Sequence, residues 1–87
     1  MCMEWEKTTK GKFDLMISKM PLFHRGVAKI AASKQAEENA RSRGSDIVEE
    51  ADVVSAFFTE VPTPFYSMMV RLLEHTGIDY KKYGFPK

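Results

Sequence analysis

Helix-breaking residues cut this chain into four stretches, and each stretch carries one apolar stripe at helical spacing. The breaks fall at Pro21, Gly44 and Pro62-Thr63-Pro64, with Gly77 closing the last stretch. Proline disfavours helical dihedrals in the residue before it and has no amide hydrogen to give, while glycine accepts the left-handed backbone that ends helices. Phe13, Met16, Ile17 and Met20 follow the i, i+3, i+4, i+7 pattern of a half-buried helix. Val54, Phe57, Phe58 and Val61 repeat it, and Phe65, Met68, Met69, Leu72 and Leu73 share one side of a last helix. No segment of strand length alternates, and no internal repeat or low-complexity tract occurs. The expected fold is all-α: a small bundle of four helices, with a long central second helix, forming a single domain over residues 1–87.

Local chemistry sets the expected boundaries. Residues 1–8 read as a loosely ordered lead anchored by Trp5, with Thr8 or Thr9 capping the first helix. The second helix runs from about Leu22 or Phe23 to Arg43. It has a bulky face of Phe23, Val27, Ile30 and Ala31 and a separate small-residue stripe of Ala28, Ala32, Ala36 and Ala40. Gly44 caps its end, Ser45 and Asp46 turn the chain, and Ile47-Val48 is briefly extended. Glu49, Glu50 and Asp52 suit the positive end of a third helix. Thr63 as cap and Pro64 at the first helical position start the fourth, which Gly77 and Ile78 close in a Schellman motif. The tail from Asp79 to Lys87 is expected to fold Tyr80, Tyr83 or Phe85 back on the bundle. The expected core is Phe13, Ile17, Met20, Phe23, Val27, Ile30, Val54, Phe57, Phe58, Val61, Phe65, Met69, Leu72 and Leu73.

Chemistry-bearing residues are sparse. Cys2 is the only cysteine and His24 and His75 the only histidines, so no disulfide and no Cys-based metal site can be built within one chain. Adjacent Glu37 and Glu38 point about 100° apart on a helix and cannot act as a facing acid–base pair. No phosphate loop, nucleophile elbow or zinc motif is present. The chain is therefore expected to have no catalytic activity alone and no cofactor. No apolar run approaches a membrane span and no signal-peptide pattern opens the chain, so a cytoplasmic protein with no membrane role is expected.

A second pattern runs across these elements: Trp5, then Pro21, Phe23 and Arg25, then Ala36, Ala40, Gly44, Ile47 and Val48. It resembles the helical C-terminal (PCP_red-type) domain of the light-independent protochlorophyllide reductase B subunit, a nitrogenase-like enzyme of chlorophyll synthesis. That family reads Trp, a helix, Pro-Phe-Phe-Val-Arg, a longer helix with spaced alanines, then Gly and a β-branched pair. Leu22 replaces an aromatic, His24 replaces Val, and Val48 stands where a capping Thr is expected. The likeness covers about residues 5–60, leaving 61–87 as an extra helix and aromatic tail. It implies a free-standing accessory or protein-interaction module. The family enzyme is an ATP-dependent iron–sulfur oxidoreductase whose catalytic parts lie in a domain absent here. A partner that is a reductase component follows from the likeness, with a role in docking, stabilising or regulating it.

Composition adds a second functional class. Residues 1–44 hold nine Lys/Arg against five Asp/Glu, and residues 45–87 hold four against seven. Arg25, Lys29 and Arg43 share one side of the second helix, and the short–long–short helix order is also that of the histone fold. Nucleic-acid binding is ranked second, because the overall charge of +1 is small for such a binder. The candidate partner-binding residues are Arg25, Lys29, Ala36, Met68 and Met69. Arg25 is expected to be structural, tying the turn after Pro21 to a carboxylate or to helix-end carbonyls, with an anion contact as the alternative. Self-association is expected through the alanine stripe or the Met68-Met69 face.

Overall fold

A computed structural model describes residues 3–20 and 22–85, apart from the side chains of Phe23 and His24. The expectations placed on Cys2, on Pro21 and on the Phe23 and His24 side chains lie outside the described residues. Four helices form, α1 Lys7–Ser18, α2 Leu22–Ser42, α3 Glu50–Glu60 and α4 Tyr66–His75. Two-residue strands β1 (Glu4–Trp5) and β2 (Ile47–Val48) pair in parallel, Glu4 opposite Ile47 and Trp5 opposite Val48. Single 3₁₀ turns cover Thr63–Phe65 and Tyr80–Tyr83.

The lead before α1 is more ordered than its composition suggests. Glu4 donates its amide to the Asp46 carbonyl at 3.2 Å, and Glu6 donates to Val48 at 2.9 Å. Two residues are too few to leave a period-2 signal, so the pairing is invisible in sequence. Trp5 packs on Phe13 with ring centroids 5.0 Å apart, and its indole N–H reaches Glu37 at 3.1 Å. The cap of α1 is Glu6, not Thr8 or Thr9. The Glu6 carboxylate accepts from the Thr9 hydroxyl at 2.6 Å and the Thr9 amide at 2.9 Å. Both bonds favour the ionised form and hold the Glu6 carboxyl below the usual range.

Helix α3 is the most fully enclosed element, with Asp52, Val53, Val54, Ala56, Phe57 and Phe58 all buried. Helix α2 lies chiefly against it, and the contact is made by alanines: Ala32, Ala36 and Ala40 are 2%, 0% and 0% exposed. Small side chains let the two backbones approach closely, so the alanine stripe is core. This corrects the expectation that Ala36 marks a surface for a partner or second copy. It also corrects the bulky face: Val27 and Ile30 are 67% and 71% exposed. Helix α2 is amphipathic in the unusual sense that its smallest apolar residues face inward, and among the described residues nothing covers the larger ones.

Helix α1 lays Phe13, Met16, Ile17 and Met20 into the core as expected. Its last carbonyls are taken up by Arg25, whose guanidinium donates to Ser18 at 2.6 Å and to Met20 at 2.8 Å. Arg25 therefore does the structural work expected of it, on carbonyls at an adjacent helix end. Helix α4 begins at Tyr66, two residues later than Pro64 suggests, because Thr63–Phe65 makes a separate 3₁₀ turn with Pro62 as its cap. The shift turns Phe65 outward, 53% exposed, contrary to expectation. Tyr66 turns inward instead, its ring edge-on to Phe58 and its hydroxyl donating to the Phe58 carbonyl at 2.6 Å.

Gly44 and Gly77 close α2 and α4 in the same way, both at positive φ. Ser45 donates to Ala40 and Ile78 to Leu73, each at 2.9 Å, which is the six-to-one bond of the Schellman motif. Ile78 and Leu73 are both buried and complete the motif's hydrophobic contact. The tail then folds back: Tyr80 is buried, and Phe85 stacks on Phe58 at 5.0 Å.

Candidate functional site

The two ends of α2 are finished differently, and the difference locates the site. At the C-terminal end a polar network ties loop and helices together. Arg43 grips Asp52 with both arms of its guanidinium, at 2.6 and 3.0 Å. Asp52, 3% exposed, also accepts the Glu49 amide at 2.9 Å, which caps α3. The bond from Asp52 raises the Arg43 pKa further above its already high value. Asn39 donates to the Asp52 carbonyl at 3.1 Å. A second node gathers on Glu50, which accepts from Lys12 at 3.0 Å and from the Tyr83 hydroxyl at 2.8 Å. Burial, then the bond to Glu50, pushes the Tyr83 phenol up to about 12.

At the N-terminal end the described residues leave the molecule open. A groove of about 530 Å³ runs between the first half of α2 and the segment from the end of α3 into α4. Val27, Ala28, Ala31 and Ala32 form one wall, and Val61, Pro62, Phe65, Met68 and Leu72 the other. Phe57 and Met69, both almost wholly buried, lie at its floor. Among the described residues Glu60 is the one ionisable group in the lining. The volume falls within the range of ligand and peptide clefts. Its rim carries exposed large apolar residues, Val27, Phe65 and Met68, with Ile30 just outside and Leu22 at the start of the same helix. Soluble surfaces usually scatter such residues singly, whereas Val27, Phe65 and Met68 share one cleft.

The sequence-derived candidates divide cleanly on this geometry. Met68, 47% exposed, stands on the rim and Met69, 2% exposed, in the floor. Ala36 is sealed against α3. Arg25 is half-buried on the α1 carbonyls, and exposed Lys29 is not among the lining residues. Missed entirely were Val27 as an exposed residue, Phe65 and Pro62. Their exposure depends on where α4 starts and on which face of α2 meets α3, and neither is written in periodicity alone.

Among the described residues the groove lining offers no acid–base pair, nucleophile or phosphate cradle. Among the described residues no group of three or more His, Cys, Asp and Glu side chains could hold a metal ion. No described helix is long and apolar enough to cross a membrane. Of the three cations that favoured nucleic acid, two are engaged internally, Arg43 on Asp52 and Arg25 on helix-end carbonyls, while Lys29 is exposed. No protein-family model, curated protein or solved structure significantly matches the chain.

Proposed function

We propose that this protein is a non-catalytic docking module whose apolar groove receives a helix from another protein chain. The observation that carries the reading is the groove itself, with Phe65, Met68 and Val27 left exposed along it. An amphipathic helix fits such a cleft by placing residues at i, i+3 or i+4 and i+7 along it. The alanines at positions 28, 31 and 32 leave the α2 wall thin enough for close approach. The resemblance to the C-terminal domain of the protochlorophyllide reductase B subunit supports an accessory role in a multi-subunit reductase, and makes such a component the first partner class to test.

The test is site-specific photo-crosslinking in the native host, with the probe at Val27 or Met68 and a control probe at exposed Lys7. Adducts of discrete mass at the groove positions alone, identified by mass spectrometry as one protein, support the reading. Adducts that do not differ between groove and control overturn it.

The short–long–short order of α1, α2 and α3, at 12, 21 and 11 residues, favours a second reading, a histone-like nucleic-acid binder. Fluorescence anisotropy with random duplex at about 150 mM salt separates the two, because non-specific binding through a few phosphate contacts is micromolar or weaker there. Submicromolar binding with a steep salt slope would put the second reading first.

A further inference from the structure

We infer that the chain received by the groove is α2 of a second copy of this protein, the two molecules related by a twofold axis. The inference rests on the docking reading above and names its partner. A twofold interface requires one surface patch to carry both a projection and the recess that accepts it. Here they lie side by side. Val27 lines the groove, while Ile30, about 60° further round α2, stands outside it and is 71% exposed. A lone helix bound in the groove would leave Ile30 in water. A second copy, laying its own Ile30 ridge into the groove and receiving the first copy's ridge in return, covers both.

Charge agrees with this occupant. Lys34 is exposed one turn beyond Ile30, and Glu60 is the one ionisable residue of the groove lining among the described residues. A ridge seated in the opposite groove therefore carries a cation toward a carboxylate, where a like-charged meeting would oppose association. Val27, Ile30, Phe65 and Met68 are each between 47% and 71% exposed. Together they supply the apolar centre that such an interface needs within a polar rim.

Light scattering and sedimentation of the intact protein, from low micromolar to near millimolar, test the inference against Ile30→Glu and Met68→Glu variants. Both positions are exposed, so far-ultraviolet circular dichroism should show the monomer fold retained. The wild type should approach twice its 10.0 kDa mass, and each variant should associate about tenfold more weakly or worse. A mixture of Cys2→Ser/Ile30→Cys with Cys2→Ser/Met68→Cys should form a ridge-to-groove disulfide between copies. A wild type that stays monomeric, or a dimer indifferent to both charges, overturns the inference. If the monomer's groove nonetheless captures one identified foreign protein by photo-crosslinking, the second copy is rejected while the docking reading stands. If neither partner is found, both fail.

Discussion

The two halves of α2 use opposite means to satisfy the same helix. Its C-terminal half is closed from within, by alanines against α3, the β1–β2 pair, the Schellman turn at Gly44 and the Arg43–Asp52 bond. Its N-terminal half is fixed at its start by Arg25 but turns Val27 and Ile30 outward beside an apolar groove. The C-terminal half is complete in one chain; the N-terminal half is the one we propose a second chain completes. Stability should therefore concentrate at one end of the molecule and association at the other.

The sharpest way to break this contrast is to charge the closed half. Ala36→Glu places a carboxylate where exposure is 0% with no partner, and should cost more than about 4 kcal/mol. That is a large share of the stability of a domain this size, so thermal melts should find it unfolded or nearly so. If it remained folded with only its self-association altered, the alanine stripe would be surface after all. A milder probe is Asp52→Ala, which removes the Arg43 bond and the α3 cap together. A loss of about 2–3 kcal/mol in denaturant titration is expected. Arg25→Lys keeps the charge but not the fork that spans two carbonyls, and should cost about 1 kcal/mol.

The stripes of α1, α3 and α4 and the glycine caps were legible in sequence because they are local: period, breaker and αL residue lie within a few positions of each other. Phe13, Met16, Ile17, Phe57 and Leu73 sit where their stripes place them. What α2 does was not legible. It carries two apolar faces, and periodicity does not say which one the neighbouring helix will take. Close α2–α3 packing selected the alanines and left Val27 and Ile30 outside. Phe65 was misplaced for a different reason, a 3₁₀ turn that delays α4 until Tyr66. The groove is the joint product of these two departures, so reading the stripes alone could not reveal it.

The closed half should also leave a pH signature. The Tyr83 phenol holds its proton up to about 12 in the folded protein, against about 10 when unfolded. Below pH 10 both states are protonated and the contribution is intact. Between pH 10 and 12 only the unfolded state releases the proton, so stability falls as pH rises. Lysines titrate in the same window, and the difference between wild type and Tyr83→Phe isolates the phenol: the variant should lose stability less steeply there. Parallel curves would show that neither burial nor Glu50 raises the Tyr83 phenol. The smallest effect is expected in the open half, where Ile30→Ser should shift monomer stability by no more than about 0.5 kcal/mol while weakening association.

Concentration-dependent amide hydrogen exchange tests the central claim most directly, because it reads both halves of α2 in one experiment. As the protein is concentrated, amides of residues 27–32 and 65–72 should gain protection, while those of residues 36–54 keep the protection they have in the monomer. Exchange that is independent of concentration throughout, or protection that rises equally along the whole of α2, would contradict the account.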